Sequence, residues 1–256
     1  MQLKREKRGF GVLEATGLRK EFGHKVAVED VSFTLNKGEL FGFLGPNGAG
    51  KTTTIRMLVG LLRPTRGEIQ VAGVDLQRRP MEAKRRLGYV PDRPMVHDKL
   101  TGREFLRFMA SLYDLPARAV DEADHWLEQF DLTESADDLI STYSHGMKQK
   151  IGLIGQLIHE PEVLLLDEPT VGLDPKSART LRNVLNGLCA KGVTVLISTH
   201  LLPIAEMMCH RVGIMDRGRL IAIGSIAELQ ERYHTESNLE DLFLRLTEAA
   251  EGERRT

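Results

Sequence analysis

The chain is poor in the features that mark secreted, metal-bound or membrane-spanning proteins. Only two cysteines occur in 256 residues, Cys189 and Cys209, far apart and without metal-ligand spacing. That excludes a disulfide scaffold and a cysteine-zinc site, and predicts two buried, idle thiols in a reducing compartment. No apolar run approaches the roughly eighteen residues of a membrane span, and the first residues hold no signal-peptide core. Formal net charge is −1, so the basic excess typical of nucleic-acid binding is missing. Lys4-Arg5-Glu6-Lys7-Arg8 is a short terminal cluster that reads as a solvated tail. These absences predict a cytoplasmic protein that meets a membrane only through a partner.

What is present suffices for a full core: hydrophobic residues at 41% and charged ones at 28% are ordinary for a globular α/β unit. Residues 45–52, Gly-Pro-Asn-Gly-Ala-Gly-Lys-Thr, match the phosphate-loop pattern G-x-x-x-x-G-K-[ST] without a mismatch. An apolar, strand-like run, Leu40 to Leu44, precedes it, and a helix-like run from Thr52 to Leu58 follows. Gly45, Gly48 and Gly50 let backbone N–H groups and a helix N-terminus face an anion. Lys51 is placed to reach the β- and γ-phosphates, and the Thr52 hydroxyl to ligate Mg²⁺. Gly45, Pro46, Asn47, Gly48, Ala49, Gly50, Lys51, Thr52 and Thr53 are therefore the candidate nucleoside-triphosphate site.

Around this loop the pattern changes along the chain. Val12 to Phe22, Ala27 to Leu35 and Gly67 to Gly73 read as strands, and the first helix is expected over 51–61. From about 95 to 143 the character is helical. Thr101-Gly102-Arg103-Glu104 is a capping box, and Leu100 with Phe105 forms its staple. Phe105, Phe108, Met109 and Leu112 recur as one apolar face, and Val120, Ala123, Leu127 and Phe130 as a second. Residues 163–167 and 193–198 are unbroken apolar runs, as in parallel strands covered on both faces, with a crossover helix over about 176–190 between them. Arg211 to Met215 and Arg219 to Ile223 read as a hairpin. Ser237-Asn238-Leu239-Glu240 offers a second capping box ahead of Leu239, Leu242, Phe243 and Leu246, and the charged tail from Glu251 is expected to fray.

Four further features narrow the chemistry. Asp167 ends the run Leu164-Leu165-Leu166 and is followed by Glu168, so one carboxylate is placed to hold Mg²⁺ and the next to polarise a water. Ser144-His145-Gly146-Met147 opens a helical stretch, a second anion-binding geometry. Gly172-Leu173-Asp174 follows the acidic pair closely, and His200 stands after the buried run ending Ser198-Thr199.

Together these resemble the ATP-binding-cassette (ABC) ATPases over about Leu13 to Gly224. Residues 45–52 match that family's Walker A motif and 163–168 its Walker B with the catalytic glutamate, Glu168. Residues 144–148 look like its signature, 172–174 its D-loop with Asp174, His200 its switch histidine, and Phe22 its adenine-stacking aromatic. The resemblance implies an α/β fold with a P-loop NTPase (RecA-like) core and a parallel-strand sheet. An N-terminal antiparallel β subdomain and an inserted helical subdomain complete it. It also implies an ATPase domain over 10–230, with its core at 10–92 and 146–230, the helical part at about 93–145, and a C-terminal helix and tail at 231–256. Two departures stand out: His145 where the signature has Gly, and Asp92 where the family has a metal-contacting Gln.

In that family the signature of one subunit closes over ATP held by another, which implies a dimer of this chain, or a pair with a similar ATPase, around ATP and Mg²⁺. Thr52, Asp167 and Asp92 are then the expected metal residues, with Ser144, His145, Gly146 and Met147 acting in trans. The resemblance further implies an integral membrane permease as partner, no nucleic acid, and a place on the inner face of the cell membrane. The competing reading is a soluble ABC ATPase that remodels nucleic acid or ribosomes. A single cassette without a coiled-coil insertion argues against it, as does the neutral charge. Ser-x-Gly-Met-Lys-Gln-Lys, Asp92 and the closing Leu239 to Leu246 together resemble the export-type subunits of multidrug, antibiotic-resistance and sodium efflux systems.

Overall fold

The computed structural model describes residues 11–116, 118–119, 123–233 and 238–252, and among these one sheet of ten strands organises the chain. One part is antiparallel. β1 (Leu13–Phe22) pairs with both β2 (Lys25–Leu35) and β4 (Arg66–Val71), and β5 (Val74–Asp75) lies at the edge beside β4. The other part is parallel, in the order β6 (Leu87–Val90), β7 (Val163–Asp167), β8 (Thr194–Thr199), β3 (Leu40–Leu44) and β9 (Arg211–Asp216). β10 (Arg219–Gly224) turns back antiparallel to β9 and meets β2 through one parallel bridge, Arg219 to Asp30. Arg219 also forks onto the Glu29 carboxylate, at 2.7 and 2.6 Å.

The unbroken apolar runs are explained by the period of two along a strand. Every residue of β3, β7 and β8 is buried. Leu164 and Leu166 enter one core cluster with helix side chains, while Val163 and Leu165 enter another on the opposite face with Phe41, Phe43 and Ile55. A strand covered on both sides has no polar position until it ends. The first polar side chain of β7 is Asp167, at its carboxyl end.

Helices cover both faces: α1 (Lys51–Leu58), α2 (Pro80–Lys84), α3 (Gly102–Leu112), α4 (Asp124–Gln129), α5 (His145–Leu157), α6 (Pro175–Ala190), α7 (Leu202–Met208), α8 (Ile226–Arg232) and α9 (Leu239–Gly252). The Thr101 hydroxyl accepts from the Glu104 amide at 3.2 Å and the Glu104 carboxylate from the Thr101 amide at 2.9 Å, so the predicted capping box starts α3. α1 stops at Leu58 rather than Leu61. Gly60 takes a left-handed φ of 68°, and the amides of Gly60 and Leu61 turn back to Met57 and Arg56, which closes the helix end.

Two other expectations shift. On α3, Phe105 and Met109 are buried, but Phe108 and Leu112 are exposed, and Leu106 and Ala110 complete the inner face. Phe108 lies edge-on to His97 instead, with centroids 5.0 Å apart. The helix is rotated by about one position from the spacing first read, and Gly155 of α5 lets Phe105 and Met109 approach closely, since a Cβ there would lie 2.9 Å from the Phe105 ring and 3.2 Å from Met109. Of the second stripe, Ala123, Leu127 and Phe130 are buried and Val120 lies outside the described residues. α9 packs Leu239, Leu242 and Leu246 against Val212, Ile214 and Leu229. Its first turn is capped by Asn238, whose Oδ1 accepts from the Asp241 amide at 3.0 Å; Ser237 lies outside the described residues, as does the Lys4–Arg8 cluster. The helix runs to Gly252, one residue beyond the start of the expected fraying tail, whose remaining residues also lie outside.

Both cysteines are free and enter the apolar interior near β3. Burial pushes the Cys189 thiol up to about 11 and the Cys209 thiol up to about 12. Below those values the reactive thiolate is nearly absent, so the folded protein at pH 8 is expected to show no rapid reaction with a disulfide-exchange reagent. Unfolding in guanidinium should release two equivalents. Rapid stoichiometric labelling of the native protein would contradict this packing.

Candidate functional site

The phosphate loop leaves β3 at Leu44 and becomes α1 at Lys51. Gly50, the residue before the helix, has φ 105°, and a Cβ there would stand 2.7 Å from the Ala27 carbonyl oxygen. A Cβ at Gly45 would lie 2.4 Å from the Met215 carbonyl. These approaches press the loop against β2 and β9, while Pro46, Asn47 and Gly48 form its exposed tip and Ala49 is buried. Thr52 and Thr53 follow in the first turn of α1, half-buried.

Lys51 is buried and folds back over its own loop. Its Nζ donates to the carbonyls of Gly45 at 2.6 Å and Pro46 at 3.3 Å, and lies 3.8 Å from Glu168 Oε1. Burial lowers its pKa, and the carboxylates of Glu168 and Asp167 oppose that shift. A lysine held by carbonyl oxygens at the mouth of a glycine loop is a cation waiting for better acceptors.

The acidic pair stands at the ends of β7 and β8. Asp167 pairs in register with Ser198, and its Oδ1 accepts a hydrogen bond from the Ser198 hydroxyl. Its Oδ2 is buried without a partner. Burial pushes the Asp167 carboxyl above the usual carboxylate range, with the hydroxyls of Ser198 and Thr52 pulling the other way and the charges of Asp92 and Glu168 adding to the rise. Glu168 adopts a left-handed φ of 51°, and its N–H is shared between the carbonyl and hydroxyl oxygens of Ser198, both at 3.1 Å. Its Oε1 lies 3.0 Å from His200 Nδ1, and its Oε2 is buried without a partner. Lys51, Asp167, Glu168 and His200 thus form one cluster.

The remaining candidates are placed differently. Ser144 caps α5, its hydroxyl accepting from the Met147 amide at 3.3 Å, with His145 and Gly146 in the first turn. The His145 ring lies beside Gly172, where a Cβ would come within 3.0 Å of it. Among the described residues, no hydrogen bond, ion pair or ring contact joins Ser144, His145, Gly146 or Met147 to the phosphate loop. Asp174 caps α6 and commits both oxygens to Ser177, at 2.9 and 2.5 Å; those bonds hold its carboxyl below the usual range. Asp92 is exposed in the loop after β6, yet close enough for its charge to act on Asp167. Phe22 is not a core residue. Half of it is exposed at the end of β1, under the Lys20 ammonium at 5.1 Å from the ring centroid.

Sequence reading missed Ser198. The available signal was a small polar residue inside a buried strand, immediately ahead of Thr199 and His200.

Comparison with known proteins agrees with this arrangement. The family model described as "ABC transporter" matches residues 28–171. The linearmycin resistance ATP-binding protein LnrL of Bacillus subtilis is 41% identical over 222 residues, which cover 86% of this chain and 71% of LnrL. The Nod factor export ATP-binding protein I of Bradyrhizobium diazoefficiens is 40% identical over 213 residues, 83% of this chain and 70% of the relative. A solved structure described as the ATP-binding subunit of an ABC transporter superposes with a TM-score of 0.88 at 33% identity, covering 92% of this chain and 99% of that one. Nothing among these favours the soluble remodelling alternative. Strand order, phosphate loop, acidic pair and relatives converge, and the chain belongs to the ABC transporter family as an ATP-binding, ATP-hydrolysing subunit.

Proposed function

We propose that this subunit works as a pair, two copies or one copy with a similar ATPase, that closes around ATP on the inner face of the cell membrane. The closing drives a separate integral permease in the direction of export. The observation that carries this reading is the cluster of Lys51, Asp167, Glu168 and His200, in which both acids keep one buried oxygen without a partner. Buried unpaired carboxylate oxygens are costly, and such sites are arranged for a ligand that satisfies them.

On binding, the phosphates of ATP offer Lys51 better acceptors than the carbonyls of Gly45 and Pro46 that it holds here. The amides of residues 45–52 supply the rest of the anion cradle, and Phe22 offers its exposed face to the adenine. The donor set suits Mg²⁺, which would be held by the Thr52 hydroxyl and Asp167 with Asp92 nearby, and which supplies charge neutralisation of the phosphates. Glu168 acts as general base on the attacking water. His200 Nδ1 lies 3.0 Å from Glu168 Oε1, close enough to orient the carboxylate and leave Nε2 for the γ-phosphate side.

Ser144, His145, Gly146 and Met147 act on ATP held by the partner, and Asp174 belongs to the same closing surface. A domain division at about 10–92 and 146–230 for the core, 93–145 for the helical part and 231–256 for the C-terminal segment fits this motion. Among the described residues no helix is long and apolar enough to cross a membrane, so the permease supplies the span. The names of the relatives, resistance and export, support the outward direction.

Glu168→Gln keeps the shape of the base without its proton affinity. It is expected to retain ATP binding and to lose turnover by about 10²–10⁴-fold, accumulating as an ATP-bound dimer on size exclusion. Turnover within a few-fold of the parent would contradict the assignment.

Asp92 is examined by pairing Asp92→Gln with Asp92→Ala in the complex reconstituted with its co-purifying permease. Gln should preserve most ATPase activity, and Ala should impair transport more than hydrolysis. Parental behaviour of Ala in both assays would make Asp92 a bystander.

A further inference from the structure

The Ser198 hydroxyl has one hydrogen to give and two lone pairs to receive. One lone pair receives the Glu168 N–H at 3.1 Å, and the hydrogen goes to Asp167 Oδ1. The same N–H also reaches the Ser198 carbonyl at 3.1 Å. Ser198 is fully buried, in register with Asp167 across the β7–β8 ladder. One hydroxyl therefore joins the Asp167 carboxylate, to which it donates, and the Glu168 backbone amide, from which it accepts.

Two consequences follow from that geometry. First, Asp167 has one oxygen bonded to the Ser198 hydroxyl and one buried oxygen without a geometric hydrogen-bond partner, with the Thr52 hydroxyl near the same carboxyl. The tied Oδ1 stops the carboxylate from rotating, so that Oδ2 stays the oxygen presented for a ligand. Second, Glu168 sits at φ 51°, in the left-handed region that a side chain disfavours, and the shared N–H holds it there. Relaxation of that dihedral would swing Oε1 away from His200 Nδ1 and Lys51 Nζ, now at 3.0 and 3.8 Å. An aliphatic residue at 198 would fill the same strand position and give neither contact.

We propose that Ser198 is a positioning residue of the ATPase site, setting which Asp167 oxygen faces the metal–nucleotide and locking the backbone of Glu168. The proposal rests on the assignment of Asp167 and Glu168 made above. It concerns this chain's hydroxyl, which no sequence motif had singled out.

The test compares two pairs in the full-length chain: Ser198→Ala against the parent, and Ser198→Val against Ser198→Thr, which differ from each other only in the hydroxyl. Binding of a ribose-labelled fluorescent ATP is measured in EDTA and over a Mg²⁺ series, beside turnover and thermal melting. In EDTA the affinity should match the parent within about twofold for all variants, since the loop and Lys51 are untouched. The Mg²⁺ concentration for half-maximal gain in binding should rise about 10–100-fold for Ala and Val, with turnover falling by a similar factor, and Thr should restore both toward the parent. Melting temperatures read alongside separate this from a folding defect, and if Val fails to fold the Ala–parent pair decides. Equal Mg²⁺ dependence and turnover with and without the hydroxyl would overturn the proposal. Glu168→Gln measured in parallel keeps the two readings apart. If it turns over normally, the site assignment fails. If it is inactive while Ala and Val behave like the parent, only the role of Ser198 fails.

Discussion

The pairing of the last residues of β7 and β8 is the constraint on which the site depends. Asp167 lies opposite Ser198, and Glu168 hangs from the same serine. Both strands are apolar through the layer that helices cover on two sides, and polarity begins only where they emerge. A parallel sheet built this way delivers its charged groups to one edge, beside the loop that ends β3. A slip of one residue that drew Asp167 back into the place of Leu166 would take it away from Ser198 and into a core cluster, where a carboxylate is costly to bury.

That edge is charged but incomplete. Lys51 is partly satisfied by its own loop, two acidic side chains each keep an unpartnered buried oxygen, and burial drives the Asp167 carboxyl upward. Such a cluster is stabilised by what it binds: phosphate oxygens for the lysine, and cationic or proton-bearing groups for the acids. Among the described residues, no hydrogen bond, ion pair or ring contact joins the signature residues at the start of α5 to the phosphate loop. In the proposed mechanism nucleotide relieves this site, a second subunit finishes it, and ATP-dependent closure is the source of mechanical work.

Much of this was legible in the sequence because local chemistry and tertiary role coincide. The glycines of 45–50, the run into Asp167-Glu168 and the capping box at Thr101 each favour one local conformation, the parallel core is read from unbroken hydrophobic runs, and the antiparallel β part is expected from the family resemblance. What escaped depended on neighbours far along the chain. The inner face of α3 is chosen by α5, so Phe108 and Leu112 could not be assigned by spacing alone. Asp174 is legible as a helix cap from Asp-Pro-Lys-Ser, but its commitment to Ser177 shows only in the folded chain. Ser198 looks like any small strand residue until β7 is laid beside it. That Phe22 stays out of the core shows only in the folded chain, where it ends β1 opposite Lys25 and is half exposed.

The central claim is that each active centre takes its phosphate loop from one subunit and its signature from another. Mixing two inactive chains tests it most directly: Lys51→Ala, which lacks a working loop, and Ser144→Arg, which lacks a working signature. In a mixed dimer one site carries both lesions and the other carries none. The account expects ATP turnover to reappear on mixing, in proportion to mixed dimers, while each variant alone stays inactive. A mixture as inactive as its components, with mixed dimers demonstrably formed, would contradict it.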